Sequence, residues 1–411
     1  MQANTIPDFA SCLFVGNNNV KTELKTKLDE APEFEPFLFS ECDSDAELVE
    51  LVRLQTEGER FENKNGSTKP RSVEEKYALQ ILNKSRIKTE DNNRYQVSVL
   101  WKVGEPDLPN NYDYAMTRLQ SLERSSYFKD ASLKQDYLKV VKSWMQKGYV
   151  RLVPKEEERP EKAFYLPHFP VVRSDRATTK IRPVMDGKAK SNGSHGKSLN
   201  DAVMTGPNLM CDLAEVLLRF RRNEVTVCAD VQEMFLRILL PPEDRTYHRF
   251  LFRMSPNEDV HEYEFLSHVF GNSGSPTVAI YTTKSNAEDQ KAEFPLGADT
   301  IINSTIVDDN MDSVETIEEG KQLVKELKAL YASCGMNVHK WLSNKTEVIE
   351  TVPREERAVN IDISEIQVKY DPLLPLVKTL GMVYLSSEDC FTFTCQLLVT
   401  GTWTKRKMLN A

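Results

Sequence analysis

The sequence predicts an α+β fold, and three observations carry that prediction. Strand-like and helix-like segments follow one another without the regular alternation that builds a parallel βαβ sheet. Two apolar runs, Val225–Asp230 and Thr305–Asp309, lead into carboxylates, as strands do when they present charge at a sheet edge. Within 132–147, Leu133, Tyr137, Val140, Val141, Trp144 and Met145 recur at helical spacing.

At 411 residues the chain is long enough for about two to four domains. Its 16 Gly and 20 Pro exclude collagen-like and low-complexity classes. A mean hydropathy of −0.48, with no apolar run of about 18 residues, argues against a membrane span. The opening MQANTIPDFASC has neither a basic n-region nor an apolar h-region, so no secretory signal is expected. Seven cysteines (12, 42, 211, 228, 334, 390 and 395) lack C-x2-C spacing, and six histidines form no ligand pattern. Neither a disulfide framework nor a zinc site is expected, and the chain reads as reduced and cytoplasmic.

The formal net charge of −9 divides unevenly. Residues 1–70 hold 14 Asp and Glu against 7 Lys and Arg, while 173–197 hold seven basic residues against Asp175 and Asp186. Such a cluster suits phosphate if its groups converge, and an ordinary solvated loop if they do not.

Acidic and Asn-rich runs, then ENKNGSTKPRS, mark 1–75 as a poorly ordered extension or linker. A helix is expected over Glu74–Lys84, a strand over Tyr95–Trp101 and a helix near Tyr114–Ser125. The helix over 132–147 has Ser132 and Gly148 as its cap candidates. A strand follows over Tyr149–Val153. Two strand-like runs, Phe164–Arg173 and Lys180–Asp186, suggest a β-hairpin carrying the basic cluster. Leu209–Arg222 reads as an amphipathic helix. Then come the strand 225–230, a short helix, the strands RFLFRM and HEYEFLS, a helix from Ser275, and a hairpin at Ile306–Asp309. A helix over 314–334 and short strands near 337–341 and 379–384 complete the pattern. The resulting organisation is 76–224, 225–400 and a terminal 401–411.

A buried strand ending in Asp normally needs a cation at its tip. If the edges bearing Asp230 and Asp308 adjoin, the two could share a pair of Mg²⁺ ions, because hard divalent cations take carboxylate oxygens and Mg²⁺ keeps exchangeable waters for phosphate chemistry. Taken alone, Asp308–Asp309 fits ordinary turn chemistry better than a metal site. Lys180 and Arg182 share one face of their strand, as a triphosphate clamp or a solvated edge would. The segment Phe270–Pro276, FGNSGSP, is a small-residue turn that opens a helix, with Ser275 as N-cap candidate.

Taken in order, these segments resemble the reverse transcriptases of BEL/Pao long-terminal-repeat retrotransposons. The resemblance covers about 50–411 and rests on YLPHFPVVR (165–173), TTKIRPVMD (178–186), SLNDAVMTGPNL (198–209), ADVQEMFLRILLPPEDR (229–245), FGNSGSP (270–276), IVDD (306–309) and GMNVHKWLSN (335–344).

It implies a right-handed fingers–palm polymerase with an antiparallel palm sheet. Residues 76–224 would form the N-terminal and fingers region and 225–400 the palm, with thumb and connection truncated after 401–411. It further implies RNA-directed DNA polymerase activity, with two Mg²⁺ ions (or Mn²⁺), dNTPs and a primed RNA or DNA template. Other regions of a retrotransposon polyprotein are implied as partners, in the cytoplasm, a virus-like particle or the nucleus.

By position, Asp230 and Asp308 would hold metal and Asp309 would complete the catalytic triad. Arg182, with Lys180, would clamp nucleotide phosphates, and Phe235 would exclude a ribose 2′-hydroxyl. Gly271 and Ser275 would line the nucleotide and template side. Lys340 would lie near the pyrophosphate, and Leu380–Gly381 would fall at the primer grip. Two departures stand out: Ile306 occupies a position usually held by Tyr, and Gly187–Lys188 replace small Ala or Ser residues, a change expected to perturb the finger hairpin. A retroelement fragment that only binds nucleic acid is the alternative. No D-T-G or D-S-G triplet supports an aspartic peptidase.

Overall fold

Val225, Val227, Ala229 and Val231 alternate with Thr226, Cys228, Asp230 and Gln232, the period-two pattern of a strand whose faces meet different surroundings. A computed structural model describes residues 70–90, 93–104, 106–154, 162–172, 181–191, 196–359, 376–379, 382–386 and 389–392. The extension through residue 69, Lys180, Leu380–Gly381 and 401–411 lie outside the described residues.

In chain order, the helices are α1 (Val73–Ser85), α2 (Tyr112–Arg124), α3 (Ala131–Gln146), α4 (Leu213–Phe220), α5 (Ser275–Asp289), α6 (Pro295–Asn303) and α7 (Ile317–Ser333), besides shorter turns. The first strands are β1 (Ile87–Lys88), β2 (Tyr95–Gln96), β3 (Val150–Leu152), β4 (His168–Val172), β5 (Ile181–Met185), β6 (Val225–Gln232), β7 (Arg249–Phe252) and β8 (His261–Phe265). They are followed by β9 (Thr305–Ile306), β10 (Asp309–Val314), β11 (Asn337–Ser343), β12 (Leu376–Thr379), β13 (Met382–Leu385) and β14 (Cys390–Thr392). The fold is α+β with antiparallel sheets.

The central sheet runs β11-β6-β10-β9. One face packs Val225, Val227, Ala229 and Val231 against Leu323, Val324, Leu327 and Leu330 of α7 within the main core. Each fully buried aliphatic side chain there contributes about 1.5–3 kcal/mol. The other face carries Cys228, Met311 and Leu342, which pack with Val216 and Phe220 of α4 and with Tyr384. The hairpin β4-β5 precedes this unit in sequence, while the sheet β3-β8-β7 takes β3 from before β6 and β7 and β8 from between β6 and β9.

Several boundaries differ from expectation. α1 starts at Val73 because Ser72 and Glu75 form a reciprocal capping box. α3 is capped by Asp130, whose carboxylate accepts from Ser132 and Leu133 N–H, instead of by Ser132; Gly148, at φ +66, follows its end. The strand expected over 95–101 shortens to two residues, and the helix expected over 209–222 to 213–220. β6 continues two residues beyond Asp230. The helix expected from 314 begins at Ile317, because 309–314 pairs fully with β6 and Thr316 caps the helix. The sequence reading missed α6. Among the described residues, no helix is long and apolar enough to cross a membrane.

A buried polar chain links the N-terminal segment to the FGNSG turn. Val99 N–H and Trp101 Nε1–H donate to the Asp244 carboxylate at 2.8 and 2.6 Å. His248 Nδ1 lies 3.0 Å from the Asp244 carbonyl, and its Nε2 lies 3.2 Å from Asn272 Nδ2, which makes Nδ1 the donor. Burial pushes His248 and His268 down to about 4 and pushes Asp244 up to about 6. The histidines stabilise the fold fully above about pH 6.5, and that stability is lost as pH falls towards 4; Asp244 acts with the opposite sign below about 6. Two histidines outweigh one aspartate. Denaturant unfolding measured from pH 7 to pH 4 is expected to show a net loss on the order of 3 kcal/mol, and a flat or rising profile would contradict the burial assigned to these rings.

Candidate active site

Three strands bring the chemistry together. β10 runs antiparallel to β6 with Asp309 opposite Asp230, and β11 runs antiparallel on the other side with His339 opposite the same residue. Directly opposed residues in antiparallel strands carry their side chains on one face, with Cβ atoms about 4.5–5.5 Å apart. Asp309, Asp230 and His339 therefore form a row across the sheet.

Asp308 occupies the second position of the two-residue β9–β10 turn. Its carbonyl accepts from Val231 N–H at 2.8 Å, which ties the turn to β6. Val307, at the first turn position, has φ +55, a left-handed conformation rare for a β-branched residue and costing on the order of 1–3 kcal/mol. A buried network behind the turn holds it. Thr305 Oγ1 lies 3.0 Å from both the Thr300 carbonyl and Asn310 Oδ1. Tyr331 O–H donates to Asn310 Oδ1 at 2.8 Å, and Asn310 Nδ2 donates to the Ala229 carbonyl at 3.3 Å.

Both oxygens of Asp230 are engaged: Oδ1 with His339 Nε2 and Oδ2 with Lys340 Nζ, each at 2.7 Å. Burial pushes the Asp230 carboxyl up, but the His339 hydrogen bond and the Lys340 charge outweigh it and leave the carboxyl below its ordinary range. Asp308 shifts the other way. Burial, then the neighbouring Asp230 charge, raises it, and only partial relief comes from its own backbone N–H, then Lys340 and Arg182. Arg182, exposed on β5, thus brings its field to the Asp308 edge. Two neighbouring carboxylates with opposite shifts mark a site built around charge.

The remaining predicted residues divide. Phe235 is 8% exposed and packs against Phe270, with ring centroids 4.6 Å apart; Phe270 is 41% exposed and presents the open aromatic surface. Ser275 is buried as the first residue of α5, behind Gly274 as N-cap, so its hydroxyl faces inward and not onto an open surface. Gly271 has φ +104, and a Cβ there would lie 1.9 Å from the Met185 carbonyl. A Cβ on Gly187 would lie 2.2 Å from the Gly271 carbonyl. Gly187 therefore does not disturb the hairpin, contrary to expectation: β4 and β5 pair without interruption over 168–172 and 181–185, and the missing side chain admits the Gly271 turn.

Sequence reasoning missed His339, Asn200 and Phe270. His339 stands within the strand-like NVHKW run, but its target depends on strand register, which no local pattern reveals. Asn200 clamps the FGNSG turn: its Nδ2 donates to the Gly271 carbonyl at 2.9 Å, and its Oδ1 accepts from Ser273 N–H at 3.0 Å. Its only signal was a place beside the Ser198 cap of a short helix.

Asp230 and Asp308 supply hard oxygen donors at one edge, the chemistry that suits Mg²⁺ or Mn²⁺. The Lys340 ammonium at Asp230 is already a cation held by this donor set. Among the described residues, no group of three or more His, Cys, Asp or Glu side chains is arranged to hold a metal, so the fit rests on the Asp230–Asp308 pair.

Gly271→Ala combines backbone strain with a clash against Met185, whereas Gly104→Ala, at φ +94 with nothing within 4 Å, meets strain alone. Denaturant unfolding is expected to show Gly271→Ala losing more than about 2 kcal/mol and Gly104→Ala about 1 kcal/mol. Equal losses would contradict the tight contact between the FGNSG turn and the end of β5. No protein-family model matches the chain, and no curated protein matches it.

Proposed function

We propose that the chain is an RNA-directed DNA polymerase, a reverse transcriptase of the BEL/Pao retrotransposon kind, which adds dNTPs to a primer 3′-end on an RNA or DNA template. The observation that carries this reading is the β6–β10 register, which sets Asp230 opposite Asp309 and beside Asp308 across 78 residues of chain. Resemblance in motif order supports it as well, and three of its segments meet at this edge: 229–245 brings Asp230, 306–309 brings Asp308, and 335–344 brings His339 and Lys340.

In this reading Asp230 and Asp308 hold Mg²⁺, and Asp309 adds negative charge on the same face. The bound ions supply Lewis-acid activation of the attacking hydroxyl and neutralise charge on the departing pyrophosphate. Arg182 draws the triphosphate towards the Asp308 edge. The Phe235–Phe270 pair forms an apolar wall that offers a ribose 2′-hydroxyl no hydrogen-bond partner, which disfavours ribonucleotides. Gly271 lets the FGNSG turn close against the Met185 carbonyl at the end of β5. His339 and the buried Asn310–Tyr331 network position the carboxylates, and such preorganisation is the main source of rate in phosphoryl transfer. The fingers–palm assignment and partnership with other polyprotein regions belong to the same proposal.

With poly(rA)/oligo(dT) and Mg²⁺ or Mn²⁺, the chain is expected to incorporate dTTP and Asp230→Asn to lose at least about 100-fold in rate. Comparable extension by Asp230→Asn would overturn the proposal. A salt-dependent gel shift without incorporation by either protein would identify a binding-only fragment. Phe235→Ala, assayed with matched dNTP and rNTP, is expected to lower discrimination against the ribonucleotide by about tenfold or more, and unchanged discrimination would remove Phe235 from that role.

A further inference from the structure

We infer that the Lys340 ammonium is the resident counter-ion of the acidic edge: it occupies Asp230 while no divalent cation is bound and must leave for one to bind, so that the β11 bulge controls metal entry. The inference rests on reading Asp230 and Asp308 as a metal site.

The two contacts on Asp230 differ in kind. His339 stands in register opposite Asp230 within the β11–β6 ladder, so its ring is fixed by the strand and orients Oδ1. Lys340 falls where the register shifts, between His339 and Leu342, and has φ +55. In a regular strand, successive side chains point to opposite faces, so Lys340 would project away from His339 and towards the α7 side. The bulge re-aims it to the same carboxylate, a role bulges commonly serve beside functional sites. A left-handed lysine is unfavourable, and the ion pair it makes offsets that strain.

Lys340 also suits a leaving role. Its side chain is 36% exposed on a flexible stem, and its charge acts on Asp308 as well as on Asp230. Two partly buried carboxylates side by side need positive charge, and this ammonium supplies it. A divalent cation placed at Asp230 Oδ2 meets an ammonium already at 2.7 Å, and the two positive charges repel. Occupancy by one therefore excludes the other.

The test is direct Mn²⁺ binding to the full chain without nucleotide or nucleic acid, read from the electron paramagnetic resonance signal of free Mn²⁺. Lys340→Met is expected to bind Mn²⁺ about tenfold more tightly than the parent chain, and Lys340→Gln similarly, because a competing charge-assisted contact is gone. Asp230→Asn in either background should abolish the gain. Unchanged or weaker binding by both Lys340 variants, with far-UV circular dichroism showing them folded, overturns the counter-ion role and leaves the metal site standing. Mn²⁺ binding insensitive to Asp230→Asn, or none in any variant, means instead that the metal-site reading itself fails, and this inference with it.

Discussion

Placing two carboxylates side by side at a partly buried edge, one on β6 and one in the β9–β10 turn beside it, is the constraint around which the rest of the central sheet is arranged. Burial raises the cost of ionising both Asp230 and Asp308, and the Asp230 charge raises it further at Asp308. The sheet answers with Lys340 and His339 on one flank and the Arg182 field on another. They arrive on two separate elements, β11 and β5, so the charge balance exists only when β5, β6, β10 and β11 are all in place.

Positioning comes from behind the sheet. The β9–β10 turn holds Val307 in a strained conformation, and strain of that kind persists only where the surroundings over-determine it. Asn310 does so from the core side, bonded to Thr305, Tyr331 and the β6 backbone. A satisfied buried polar network is rigid because each broken member leaves an uncompensated partner. A similar economy governs the FGNSG turn, where Gly187 and Gly271 approach each other's backbone surroundings too closely for any side chain, and Asn200 bridges the two.

Much of the secondary structure was legible locally. An apolar run into Asp230 marked β6, helical spacing marked α3, and the acidic pair of IVDD marked a turn. Boundaries failed where a cap or a pairing partner decided them: Asp130 took the cap expected at Ser132, and pairing with β6 carried β10 through to Val314. α6 was missed because PLGADTIIN carries small and polar residues whose burial depends on neighbours, with Gly297, Ala298 and Thr300 all packed inside.

By itself the sequence determined which residue types could do chemistry here, since carboxylates in strand-end positions and a glycine-rich helix opening are properties of local order and composition. Tertiary structure alone decided which of them meet. Strand register set His339 and Asp309 on either side of Asp230, the β11 bulge turned Lys340 onto the same carboxylate, and packing covered Phe235 and left Phe270 as the exposed ring. The contacts around Asp230 depend on pairing between segments about 80 to 110 residues apart, and a one-residue slip would send every side chain to the opposite face, so no local pattern encodes them.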